Sequence, residues 1–279
     1  MSPLAQMNRS VHPQRAMVPD PGVPSSHMAR IADLLADLDD LLQTSSFQDY
    51  GPNGLQVPGP EQVAKVVTGV SANAELFQRA AGAGADLVLV HHGLFWSGPP
   101  RPLDAPAKRR LKLLFDADMA LAAYHLPLDA HLEVGNNALL ARALGASEWS
   151  PFAEHRGRPV GVAATFADGI AAPELLARVR AATNREPLAF LDGPPAVRSA
   201  GIVSGAGGDH LADAIALGLD ALVTGEASER HMALAREAGV HFLAAGHYAT
   251  ETFGVRALGD RLAQRFGVEH LFIDVPNPI

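Results

Sequence analysis

The stretch Gly84-Ala85-Asp86-Leu87-Val88-Leu89-Val90-His91-His92-Gly93 sets the fold class. Its four consecutive aliphatic residues, bounded by a glycine turn and a His-His-Gly exit, are too few for a helix. Unbroken apolarity is the pattern of a short strand buried on both faces, as in parallel sheets covered by helices. Working outward, the same alternation repeats along the chain. Short apolar runs predict strands at Val66–Val70, Met119–Tyr124, Val160–Phe166, Ala200–Val203, Ala221–Val223 and His241–Ala244. Helical spacing predicts helices at Ala29–Gln43, Ala74–Ala83, Ala107–Phe115, Asn137–Leu144, Pro173–Ala182, His210–Leu217, Ser228–Ala238 and Val255–Phe266. Strand–helix–strand order gives an α/β protein with mostly parallel sheets flanked by helices.

The opening stretch has a second copy. Val67 to Ser71, a helix and Gly84 to His92 correspond to Gly201 to Ser204, a helix and Gly218 to Glu226. A third element follows in each half, where His125 precedes Asp129 by four residues and His247 precedes Glu251 by four. Two similar lobes are therefore expected, one from about 28–130 with 240–279 and one from 131–239, with polar residues meeting in the cleft between them. Residues 1–27 contain Pro3, Pro13, Pro19, Pro21 and Pro24 and no helical or strand period, and read as a disordered extension.

Composition removes several function classes. The 279 residues carry 22 Lys and Arg against 30 Asp and Glu, a formal charge of -8. That balance disfavours nucleic-acid binding, which needs a basic footprint. No run approaches the roughly 20 apolar residues of a membrane span, and the N-terminal region lacks the apolar segment of a secretory signal. A cytoplasmic location is expected. With no cysteine, disulfides, Fe–S clusters and thiolate sites are excluded. A metal here would be held by nitrogen and oxygen, and 12 histidines make such ligands available.

In open α/β sheets, ligands sit beyond the carboxyl ends of strands. Four predicted strands end in His91-His92, in His125 with Asp129, in Gly225-Glu226, and in His247 with Glu251. Adjacent histidines leave an extended backbone in opposite directions, so His91 and His92 suit two different ions of a two-metal site. His247 and Glu251 share a face if the segment from Ala249 is helical. His125 is open to three roles: ligand, partner behind a ligand, or base. Three imidazoles and two carboxylates suit Zn, Fe, Mn, Co or Ni and are too nitrogen-rich for calcium or magnesium. Two divalent ions outweigh two carboxylates, so the site attracts an anion, with a nucleotide or phosphate ester the natural candidate and hydrolysis the favoured reaction class.

Ser204-Gly205-Ala206-Gly207-Gly208-Asp209 offers two readings: backbone N–H groups for a phosphate, or a tight turn needing positive φ with Asp209 capping the next helix. The absence of a Gly-x-Ser-x-Gly elbow and of cysteine leaves serine and cysteine hydrolase chemistry unsupported.

Taken in order, Gly51 to Val57, His91 to Trp96, His125 to His131, Gly135 to Asn137, Gly225-Glu226, Gly246 to Glu251 and Phe272 to Pro278 resemble one family. It is the GTP cyclohydrolase 1 type 2 homologue family, also called NGG-interacting-factor-like proteins, matched from about Met28 onward. The resemblance implies a two-lobed α/β subunit of a toroidal homohexamer with two divalent metal ions in the cleft. It also implies His91, His92, Asp129, His247 and Glu251 as ligands, with His125 and Glu226 at the same site as catalytic candidates. The segment Trp149 to Arg198 is too short for the extra domain of some members, so the chain resembles the compact form. Tyr248 stands where similar proteins have a second histidine before Ala-Thr-Glu.

Overall fold

The computed structural model describes residues 27–98 and 102–279. The extension expected at 1–27 lies outside them except for His27. Two sheets organise the rest. The first has five strands, in the order Glu269–Phe272, Lys65–Ser71, Leu87–His92, Ala120–Ala123 and Gly54–Val57, of which only the last is antiparallel to its neighbour. The second has six, in the order Glu148–His155, Arg158–Ala171, Ala196–Val203, Ala221–Thr224, His241–Ala244 and Leu188–Leu191. Its central three strands are parallel and the outer three antiparallel.

Alternation along the Leu87–His92 strand explains the helices on both faces. Leu87 and Leu89 pack with Leu34, Leu38, Leu258 and Leu262 from the helices Ile31–Leu42 and Thr252–Phe266. Val88 and Val90 point the other way, to Leu76, Phe77 and Leu114 of the helices Ala74–Gly82 and Ala105–Asp116. In the second sheet, Ala221 and Val223 face the helices Asn136–Ala143 and Ala172–Thr183, while Leu222 faces Leu211–Ala216 and Glu229–Ala238. Each fully buried leucine or valine contributes about 1.5–3 kcal/mol of transfer free energy.

The internal repeat extends to individual hydrogen bonds. Gly84 and Gly218 both take left-handed φ, 71° and 67°, to end a helix and turn the chain into a strand. Two residues later, Asp86 Oδ2 accepts from the backbone N–H groups of Ala64 at 2.8 Å and Lys65 at 2.9 Å. Asp220 Oδ2 does the same for Arg198 at 2.7 Å and Ser199 at 3.0 Å. Each aspartate thus closes the start of the neighbouring parallel strand, at the end of the sheet remote from the imidazoles.

Three details differ from the expectations and are corrected here. The second sheet is mixed, because a long hairpin adds two antiparallel strands at one edge of its parallel core. Arg156 and Gly157, both at positive φ (49° and 83°), make its two-residue turn between the paired His155 and Arg158. Pro151 interrupts apolar alternation in the outer hairpin strand, which periodicity misses, and the expected Val160–Phe166 covers only part of the inner one. Second, His241–Ala244 belongs to the six-stranded sheet, so the chain returns to the first lobe through the helix Thr252–Phe266 rather than at residue 240. Third, the edge strands Gly54–Val57, Leu188–Leu191 and Glu269–Phe272 are four residues each and carry too little pattern to be read.

Replacing Asp86 or Asp220 with Ala strands two backbone donors at a sheet end. Each variant is expected to lose about 1–3 kcal/mol in urea unfolding, with similar values for the two. A negligible loss at either position would contradict the equivalence of the two repeats.

Candidate metal centre

The carboxyl ends of the parallel strands from both sheets deliver their exit residues to one place. The first sheet supplies His91 and His92 at a strand end, and His125 just after Ala120–Ala123. The short helix Leu126–Ala130 then carries Asp129 inward. From the second sheet come Ser204-Gly205, Gly225-Glu226 and His247, each following a parallel strand. Glu251 sits at the joint between the helical turn His247–Thr250 and the helix Thr252–Phe266.

His91 Nδ1 donates to the Tyr124 carbonyl at 2.9 Å, which leaves Nε2 as the ligand atom. That Nε2 lies 3.4 Å from Asp129 Oδ2 and 3.6 Å from Glu251 Oε1. His92 Nε2 is 3.3 Å from Glu251 Oε2, and His247 Nε2 is 3.1 Å from Glu251 Oε1. The rings of His91 and His92 converge, with centroids 4.7 Å apart, rather than diverging across the strand. Ligand atoms of His91, His92 and His125 lie within 4.8 Å of one another, and so do those of His92, His247 and Glu251. All seven residues singled out from the sequence are therefore gathered here, although Glu226 stands behind His247, its Oε1 hydrogen-bonded to His247 Nδ1.

A residual polar imbalance fits a metal. His91 Nε2 and Glu251 Oε2 are buried without a hydrogen-bond partner. Orphaned atoms of this kind cost roughly 1–3 kcal/mol each, more when charged, and both face the same cluster. Gly205 clears the space: at φ +60° its side-chain position is 2.3 Å from Glu251 Oε1 and 3.0 Å from His247 Nε2, so a Cβ would enter the ligand set. The glycine-rich loop is thus a packing and turn device. Asp209 pairs with Arg230 and with His231 Nε2 at 3.0 Å instead of capping a helix.

Electrostatics follow the geometry. Burial opposes a charge on His91, but the Asp129 and Glu251 carboxylates outweigh it and hold the ring pKa well above its ordinary value. Burial likewise opposes the His247 charge, and Glu251 and Glu226 overcome it, lifting the ring to about 9. His92 goes the other way: burial, reinforced by the charges of His91, His125 and His247 and only partly offset by Glu251, pushes it down to about 3. Glu251 is held well below the carboxylate range, its burial outweighed by His91, His247 and His92.

Several residues of the site are not singled out as site residues by the sequence, although Asn136 and Ser204 lie in segments that are. Asn136 Nδ2 at 2.8 Å and Ser204 Oγ at 3.1 Å donate to Asp129 Oδ1, fixing the carboxylate with Oδ2 toward His91. Ser71 Oγ meets His92 Nδ1 at 3.2 Å. Asp49 accepts from His125 Nδ1 at 2.7 Å across 76 residues of chain. The spacing of a loop aspartate says nothing about a partner so distant.

In the metal-free protein the proton on His247 stabilises the fold fully below pH 6.5, and that contribution is lost as pH rises through about 9. A metal must displace this proton and the one on His91. Zinc uptake is therefore expected to release protons, seen as a buffer-dependent heat in calorimetry. Affinity should fall by about tenfold per pH unit for each displaced proton between pH 8 and 7. Asp129→Ala should reduce metal content in elemental analysis; full metal content in that variant would remove Asp129 from the ligand set.

The model of the Duf34/NIF3 (NGG1p interacting factor 3) family matches residues 29–278. A Pseudomonas aeruginosa protein named GTP cyclohydrolase 1 type 2 homolog is 47% identical over 248 residues, covering 89% of this chain and 98% of that one. A Deinococcus radiodurans protein of the same name is 39% identical over 245 residues, covering 88% and 93%. Among solved structures, protein ybgI, described as of unknown function, superposes with a TM-score of 0.85 at 40% identity, over 90% of this chain and all of that one. A Thermus thermophilus protein gives 0.83 at 37% identity with the same coverage. The matched span runs from the first described strand to the penultimate residue and includes every residue of the candidate metal centre: the chain belongs to the DUF34/NIF3 family.

Proposed function

We propose that the protein is a metal-dependent hydrolase acting on a nucleotide or another phosphorylated substrate. In this reading His91, His92, Asp129, His247 and Glu251 hold two divalent ions, with Zn, Fe, Mn, Co and Ni all compatible with the donor set. The observation that carries it is the pair of orphaned buried atoms, His91 Nε2 and Glu251 Oε2, beside a cavity of about 320 Å3 lined by His92, His125, Asp129, His247 and Glu251. The two oxygens of Glu251 face different imidazoles, Oε1 toward His91 and His247 and Oε2 toward His92, so this carboxylate would hold an ion together with those rings. When bound, such ions supply Lewis acidity toward a phosphoryl or carbonyl oxygen.

The chain's own groups then divide the work. Asp49, its side chain 2% exposed, accepts from His125 Nδ1, Tyr50 N, Asn53 Nδ2 and Leu126 N. Burial opposes its charge, and the His125 hydrogen bond and charge with the Asn53 and Tyr50 hydrogen bonds keep the carboxyl below its ordinary value. A charged Asp49 keeps the hydrogen on Nδ1 of His125, so His125 Nε2 is the nitrogen that takes or gives a proton in the cavity. Glu226 acts through His247, fixing the ring with Nε2 toward Glu251, and is a positioning residue in this scheme.

The assembly in this reading is a homohexameric ring in the cytoplasm. Exposed apolar side chains support an assembly: Leu103, Phe115 and Leu217 are 65%, 62% and 65% exposed. No helix among the described residues is long and apolar enough to cross a membrane. Light scattering is expected to give six times the 29.3 kDa chain mass; a monomer would end the ring reading.

With metal-loaded protein, a panel of nucleotides and phosphate esters should show turnover that chelation abolishes. His125→Ala should lower kcat by about 100-fold or more with metal content retained. Asp49→Asn should lower kcat and distort its pH profile while leaving KM nearly unchanged. No turnover on any member of the panel by fully loaded protein would refute the hydrolase.

A further inference from the structure

Part of the cavity lining has no role in ion binding or proton transfer. Besides the residues of the metal cluster, the Tyr50 ring, His155 and His210 line it, the two histidines coming from the second lobe. His155 occupies the end of the outer hairpin strand, and its Nε2 is buried with no hydrogen-bond partner. His210 Nδ1 is taken by Asp213 at 2.7 Å, which leaves Nε2 as its remaining ring nitrogen. The Tyr50 and His155 rings pack 5.0 Å apart at 37°, and the Arg156 guanidinium lies 5.2 Å from the Tyr50 ring. Asp129 and Glu251, the carboxylates lining the cavity, both belong to the metal cluster.

We propose that His155 and His210 form an oxyanion-binding subsite that holds the anionic end of the substrate, with Tyr50 lying against a planar group attached to it. The inference rests on the reading of this cavity as the substrate site and adds what the substrate must look like. A bound oxyanion favours the imidazolium form, in which both ring nitrogens carry a hydrogen, so an anion beside these two rings is met by N–H donors. Burial, then the charges of Arg156 and His210, push the His155 ring below its ordinary pKa, although Asp49 works the other way. Size adds a limit. At about 320 Å3 the cavity lies near the lower end of the roughly 300–1,000 Å3 typical of small-molecule sites. The part of the substrate enclosed there is compact, with a phosphate or carboxylate beside His155 and His210.

The test uses full-length protein, zinc-loaded and after chelation, with phenyl phosphate as the probe and phenol as its neutral counterpart. Nitrogen-15 spectra of the histidine rings report which imidazoles meet the ligand. Phenyl phosphate should shift the His155 and His210 signals saturably in both states, and phenol should leave them unmoved. His155→Phe keeps a ring against Tyr50 but removes the donor, and it should weaken binding about tenfold, the factor carried by one charge-assisted hydrogen bond. His210→Gln should do the same, with unchanged thermal midpoints showing that both variants fold. Shifts confined to His91, His92, His125 or His247, or equal affinity in the variants, would overturn the subsite. Because metal-free protein is included, the outcomes separate. Turnover without His155 and His210 shifts overturns the subsite and leaves the hydrolase standing. Shifts without turnover support the subsite while the hydrolase falls.

Discussion

The structure turns on one buried carboxylate. Glu251 is 3% exposed, sits where two lobes meet, and faces imidazoles from both. A lone charge at that depth would be prohibitively costly, so every element around it exists in a position that answers it. His91 and His92 reach it from the first sheet, and His247 reaches it from the second. Gly205 stands aside so that no side chain intrudes. Breaking the chain between Thr250 and Thr252, where one helical turn ends and a 15-residue helix begins, lets Glu251 point into the cleft instead of along a helix surface.

The internal repeat brings two sheets to one site, and the differences between its copies make the site asymmetric. The turn glycines and the Asp86 and Asp220 locks are the same in both halves, and they lie at the sheet ends away from the chemistry. At the opposite ends the halves differ. One strand exit is His91-His92 and its counterpart is Gly225-Glu226; the His-x-x-x-carboxylate element gives Asp129 in one half and Glu251 in the other. The shared plan places the exits, and the differing side chains divide into ligands and the groups that orient them.

Much of this was legible in the residues. Central strands such as Leu87–His92 and Ala221–Thr224 announce themselves because burial on both faces demands continuous apolarity. The candidate ligands were legible because strand exits are where such a fold puts ligands. What escaped has a common cause. Edge strands are half-solvated and short, so Leu188–Leu191 and Glu269–Phe272 lack pattern. The partners behind the ligands, Asp49, Asn136 and Ser204, are ordinary polar residues whose meaning lies in contacts across many residues of chain. His91 and His92 also escaped the simple geometry of alternating side chains, since the strand ends there and both rings turn to one cluster.

The hairpin Glu148–Ala171 attaches to the six-stranded sheet through a single strand, and the parallel core behind it carries none of its backbone pairings beyond that seam. His155 rides on its tip beside a two-residue turn. This part of the cavity lining is therefore modular: lengthening or shortening the hairpin would reshape the cavity while the strand exits that carry His91, His92 and His247 stay in register. A fold arranged this way can change its diet without rebuilding its engine.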